Sequence, residues 1–245
     1  MARNRRRLRK ALPRSPLVRR LCIEPLEDRR LLANVTVSNL NDVVDGNVTS
    51  IAALIGTPGA DGISLREAVL AANADAVADT INFAPAVVGA IQLTNVGHVG
   101  QISITNNLTI NGPGTRLLAI HAFEGAFAAG DGARIFNVDD GNAAAVKNVA
   151  ISGLALHFGD ATSLGGAIRS YSENLSLTAC TISGNRVFNG DGGAVFQYRG
   201  SLTVNSCTIS ANTAQRGGGI YARDSTVTVA NSTISGNTAT TTFGK

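Results

Sequence analysis

Tryptophan is absent from this 245-residue chain, methionine occurs once, and aromatic residues make up only 4% of it. Stacking platforms for sugars are usually built from Trp and Tyr. Only Tyr171, Tyr198 and Tyr221 are available for that role, at spacings that leave them near one register. Three cysteines, Cys22, Cys180 and Cys207, do not make a disulfide framework. No apolar run reaches the roughly 18 residues of a membrane-spanning helix, so none is implied. Residues 1–33 carry 11 Lys/Arg against 3 Asp/Glu, whereas residues 34–245 carry 10 against 14. The basic character therefore belongs to a tail and the body is mildly acidic. Nucleic-acid binding would rest on that tail alone, without interleaved aromatics, and no nucleic-acid partner is expected.

What the chain does contain is a repeat. It reads GGAIRSYSENLSLTACTISGN from Gly165, GGAVFQYRGSLTVNSCTISAN from Gly192 and GGGIYARDSTVTVANSTISGN from Gly217. The glycine pairs recur after 27 and then 25 residues, and Asn185, Asn212 and Asn237 recur at the same steps. From Ile168, Val195 or Ile220 to the asparagine the distance is always 17. All the length variation falls between the asparagine and the next glycine pair, so a rigid part alternates with a tolerant one.

Within each unit the apolar positions alternate: Leu175, Leu177, Cys180, Ile182; then Leu202, Val204, Cys207, Ile209; then Val227, Val229, Ser232, Ile234. Period two is a strand signal. The sequence predicts an all-β fold: a right-handed parallel β-helix, a solenoid with coils of about 25 residues and two or three strands per coil. Apolar rows would line its interior, and glycines would occupy corners needing positive φ or close backbone approach. The three asparagines would stack as a structural ladder of amides. Thr181, Thr208 and Thr233 should form an outer row. Cys180 and Cys207 fall in an inward row, as buried free thiols or, alternatively, as a disulfide between coils. The GGAI/GGAV/GGGIY starts and SGNTA-type ends resemble the repeats of polymorphic outer-membrane proteins and related pectate-lyase-like surface proteins over about 80 residues. That resemblance speaks for fold more than for activity.

The N-terminal third divides at a change of composition. Residues 1–33 read as a basic, disordered targeting segment; Pro13, Arg14, Pro16, Arg19 and Arg20 interrupt any apolar stretch that a secretory signal would need. Its LEDRRLL run, Leu26–Leu32, resembles the LEPRxLL-type motif of exported planctomycete proteins, which implies export to the cell surface or beyond. Residues 34–90 offer a short strand with Val35 and Val37 on one face, then a helix opened by a capping box at Ser64 and Glu67. Leu65, Val69 and Ala72 share a face of that helix, which should fade near Asn73 to Asp75. Ser64, Leu65, Arg66, Glu67, Ala68, Asn73, Asp79 and Phe83 resemble the CSLREA-type domain that precedes bacterial β-helices, with Ile63 in place of its cysteine. The resemblance implies a capping helix over the apolar end of the solenoid. Arg66 and Glu67 are read as cap and ion-pair residues.

Residues 91–245 then supply the coils. After Asn237 the pattern calls for another glycine pair but TATTTFGK follows, so the chain is expected to be the front of a longer protein. Edge-to-edge self-association is the expected consequence of an open end.

A polysaccharide lyase on such a fold needs clustered carboxylates for calcium and an Arg or Lys base. The acidic candidates are Asp131, Asp139, Asp140, Asp160 and Asp191, with Asp139–Asp140 the one adjacent pair among them. Each precedes a turn or coil start, where Asp is common. Gly97–His98 precedes the Asp pair rather than following it, and His121 and His157 stand alone in sequence. The reading is a non-enzymatic, exported cell-surface or outer-membrane scaffold, adhesin-like, with no cofactor. Its expected partners are a polysaccharide or other surface proteins. The alternative is a lyase or glycoside hydrolase acting on acidic polysaccharide, with calcium.

Overall fold

The computed structural model describes residues 33–74, 77–94, 100–123 and 132–240. The basic segment with Cys22, and the candidates His98 and Asp131, lie outside these residues. The chain winds as a parallel β-solenoid whose strands form four sheets of seven, six, five and four strands, every pairing parallel. One regular coil runs Ile168–Tyr171, Asn174–Thr178, Thr181–Ser183 and Arg186–Val187. The two-residue fourth strand exceeds the two or three strands read from sequence. After the asparagine turn the chain stays beside its neighbour just long enough for a short pairing. Ile102, Phe136, Ile168, Val195 and Ile220 are successive partners in the five-stranded sheet, so coil length settles from 34 and 32 residues to 27 and 25.

The alternating residues turn inward as their period dictates. Leu175, Leu177, Cys180 and Ile182 are buried, and so are Leu202, Val204, Cys207 and Ile209. Burying each large side chain of this kind contributes roughly 1.5–3 kcal/mol. The equivalent row of the next coil is open, with Val227 40%, Val229 45% and Ile234 47% exposed. Thr181, Thr208 and Thr233 pair in register on the outside.

Glycines hold the corners expected of them, with positive φ at Gly153, Gly165, Gly184, Gly192 and Gly217, but other residues share the role. Ser172, Arg199 and Asp224 hold φ of 66°, 55° and 53° at one corner, and Ala179, Ser206 and Asn231 hold 52°, 55° and 51° at the next. A non-glycine residue there costs roughly 1–2 kcal/mol. In return the corner keeps its ladder bond: the N–H of Ser172, Ala179, Arg199 and Ser206 each donates to a carbonyl of the following coil at 2.7–3.1 Å. The glycine pairs combine both expected features, positive φ at the first residue and close backbone approach at the second. Gly165 and Gly192 sit at φ 67° and 72°. A Cβ on Gly166 or Gly193 would lie 2.1 Å from the carbonyl oxygen of Gly193 or Gly218 in the next coil.

At the third corner the asparagines interlock. Asn212 Oδ1 accepts from both the backbone N–H and Nδ2 of Asn185, each at 2.9 Å. Asn237 Oδ1 does the same for Asn212 at 3.0 and 2.9 Å. Nδ2 of Asn212 also donates to Ile182 O and Ser210 O. Asn185 and Asn212 are buried, so their own amide groups depend on these bonds rather than on water.

Two helices precede the coils. α1 (Ile51–Gly56) is capped by Ser50, whose side chain accepts from Ala53 N–H. The sequence reading had no helix here, because six residues are too short to show a periodicity. α2 (Leu65–Asn73) carries the capping box between Ser64 and Glu67. Its buried residues join the same apolar core that continues through the coils to Ile209. Arg66 and Glu67 turn to different partners. Arg66 forms a bidentate pair with Asp42 at 2.7 and 2.8 Å, and Glu67 accepts from the N–H of Asp45, Gly46 and Ser64.

Substituting Asn212→Ala strands the buried Asn185 N–H and removes the amide bonds to Ile182 O and Ser210 O, a cost of roughly 1–3 kcal/mol. Asn237→Ala, in the open coil, is expected to cost less than half of that. Urea midpoints of the two variants check the ordering.

Candidate functional site

The outer face of the five-stranded sheet gathers most of the aromatic side chains of the regular coils. Strand pairing puts Asn137, Arg169, Phe196 and Tyr221 in one outward row and Tyr171, Tyr198 and Arg223 in the next. Tyr221 therefore does not continue the row of the other two tyrosines, as its sequence spacing suggested; Arg223 takes that place. The Tyr171 and Tyr198 rings lie 4.7 Å apart at a tilt of 41°, and Phe196 and Tyr221 stack nearly parallel at 5.8 Å.

Guanidinium groups cover these rings. Arg169 sits 4.9 Å from the Tyr171 centroid, Arg199 5.1 Å from Tyr198 and Arg216 5.0 Å from Tyr221. Such contacts are each worth about 0.5–1 kcal/mol when exposed. A groove of about 290 Å³ runs here, lined by Leu164, Tyr171, Phe196, Tyr198, Tyr221, Arg223 and Asp191. Asp191 holds Arg216 bidentately at 2.7 and 2.6 Å, and this pairing raises the Arg216 pKa. At the other end Arg169 bridges Asn137 at 2.7 Å and Asp139 at 2.8 Å. Arg134 beside it is drawn down to about 10, by burial and then by the charge of Arg169.

Asp139 and Asp140 open a nine-residue loop, residues 139–147, at a corner where the next coil has only Ser172 and Glu173. Successive side chains fold it: Asp139 accepts from Gly141 N–H, Asp140 from Asn142 N–H and Asn142 from Ala144 N–H. Lys147 returns to Asp140 at 3.3 Å. Buried Glu173 closes the base, accepting from the N–H groups of Asp140 and Lys147. The two acidic side chains titrate apart. Desolvation, and then the facing Asp140 carboxylate, hold Glu173 above its ordinary 4.5. Desolvation pushes Asp140 up, but hydrogen bonds from Asn142, Lys147 and Glu173 outweigh it and leave Asp140 below its ordinary value.

Glu173 was missed by sequence reasoning, although it left a trace. At its repeat position the following coils carry Gly200 and Ser225, so it is a departure from the repeat. Asp160 is elsewhere, on the four-stranded sheet, paired with Arg186 at 2.7 and 2.8 Å. His121 and His157, isolated in sequence, are brought together by register with ring centroids 5.9 Å apart. Nδ1 of His157 lies 2.9 Å from Ser183 Oγ, and Phe158 packs edge-on to His121 at 4.8 Å. Among the described residues no three His, Cys, Asp or Glu side chains gather to hold a metal ion, and no helix is long and apolar enough to cross a membrane.

Because the folded protein keeps the Glu173 proton at a pH where the unfolded chain has lost it, this group adds stability as pH falls toward 4.5. Glu173→Gln removes that contribution. The urea midpoint of the wild type should gain on that of the variant as pH falls from neutrality toward 4.5. A difference independent of pH would overturn the raised titration of Glu173.

Residues 89–244 match the family model described as a right-handed β-helix region. No curated protein and no solved structure matches the chain. The match spans more than half of the sequence and takes in every regular coil, and with the parallel four-sheet winding it assigns the chain to the right-handed β-helix family.

Proposed function

We propose that this chain is a non-enzymatic, exported scaffold with an adhesin-like role, holding a polysaccharide on the outer face of its five-stranded sheet. The observation that carries this reading is the paired Tyr171–Tyr198 and Phe196–Tyr221 rings flanked by Arg169, Arg199, Arg216 and Arg223. Ring faces of this kind stack against the C–H faces of sugars, and guanidinium forks donate to hydroxyl or carboxylate oxygens. Neighbouring coils repeat the surface at about 4.8 Å, which suits an extended polymer better than a compact ligand. The LEDRRLL segment and the CSLREA-like residues support export to the cell surface or outer membrane.

Asp139 and Asp140, the carboxylates that a lyase or hydrolase with calcium would use, are engaged by Arg169, Lys147 and the turns of their own loop. This favours the scaffold over the enzyme. Retention of the protein on a panel of neutral and acidic polysaccharides, with and without calcium, tests the reading. Retention without new reducing or unsaturated ends is expected, and Tyr198→Ala should weaken it about tenfold, as loss of one stacking contact does. Turnover that disappears in Asp139→Asn and Asp140→Asn would establish the enzyme instead.

A further inference from the structure

Cys180 and Cys207 occupy the same place in adjacent coils, each one residue before the paired Thr181 and Thr208. Both are free and buried. The Cys207 sulfur reaches toward the neighbouring coil, where the Cys180 N–H donates to it at 3.3 Å. Parallel strands stack at about 4.8 Å, inside the Cα separation of roughly 4.4–6.8 Å that a disulfide spans. The Cys180 sulfur lies 3.5 Å from Ile151 O and the Cys207 sulfur 3.5 Å from Leu177 O, so each faces the coil before it, and closing the bond requires Cys180 to turn toward Cys207.

We propose that Cys180 and Cys207 are an oxidisable pair that closes a disulfide between adjacent coils when the protein meets a peroxide. Cys207 is the attacking group. Its sulfur accepts the Cys180 N–H at 3.3 Å, a contact that favours the thiolate. Sγ of Cys180 lies against Ile151 O and Thr178 O and stays a thiol. The thiolate is the form that reacts. The Cys207 thiolate attacks one oxygen of hydrogen peroxide, the O–O bond breaks, and the products are a sulfenic acid and hydroxide, which takes up a proton from solvent to become water. The Cys180 sulfur then attacks the sulfenic sulfur. The S–O bond breaks, the oxygen leaves as water with the Cys180 proton, and the S–S bond forms. Two thiols are oxidised and one peroxide is reduced to two waters.

The placement gives the pair a consequence. Its coil is next to the open coil carrying Val227, Val229 and Ile234, and Ser232 there takes the third position of the same row, accepting from Cys207 N–H at 3.0 Å. A covalent link would fasten the coil of Cys207 to that of Cys180. This inference is independent of polysaccharide binding.

The test uses the full chain carrying Cys22→Ser, treated with hydrogen peroxide at neutral pH. The expected product loses the mass of two hydrogens. It gives one peptide pair joined through Cys180 and Cys207, has no titratable thiol after denaturation, and melts about 5 °C higher than the reduced form. Cys180→Ser in the same background should stop at the sulfenic acid on Cys207, trapped by a dimedone-type reagent, whereas Cys207→Ser should react much more slowly. Added oxygen on the wild-type pair without a cross-link, or equal peroxide reactivity of the two single-cysteine variants, would overturn the proposal.

Discussion

The hydrogen bond from one coil to the next is the interaction on which everything else in this structure depends. Parallel strands supply it along the flat faces without difficulty. Corners are the problem, because a turning chain normally points its N–H groups away from the neighbour. Residues such as Ser172 and Ala179 adopt the left-handed conformation, turn the chain, and still donate to the coil beyond. At the third corner the amide of Asn212 satisfies the groups that the backbone alone leaves open. The local strain of each corner is offset because the bond it preserves is repeated in register at the next coil.

Strict repetition also explains where function can reside. Positions that serve the scaffold recur in every coil, so a side chain that breaks the pattern is free to do something else. Glu173 replaces a corner residue that is Gly200 and Ser225 in later coils, and it pins the inserted loop of residues 139–147. Arg169, Phe196 and Tyr221 differ along one row of an otherwise uniform sheet. Together they make a face of rings and guanidinium groups on a body whose other faces present Thr, Ser and Asn. The apolar interior tolerates no such variety, since every inward position touches its equivalents above and below.

The sequence by itself determined the solenoid. Alternation of Leu, Val and Ile with Ser and Thr requires strands, and the shared 27- and 25-residue steps of glycine and asparagine require that those strands stack in register. It determined the start of α2 as well, because Ser64 and Glu67 are close in sequence and satisfy one another locally. Tertiary structure alone decided what lies across coils. The 35 residues between His121 and His157 include the loop of residues 139–147, and no local pattern encodes the register that their total length sets. The same holds for Tyr221, displaced from the tyrosine row by a shift of two residues, and for Glu173 closing a loop that begins 34 residues before it. Local periodicity is set by the backbone geometry of a strand. Which side chains become neighbours is set by the accumulated length of every turn between them, and only the folded chain adds those lengths up.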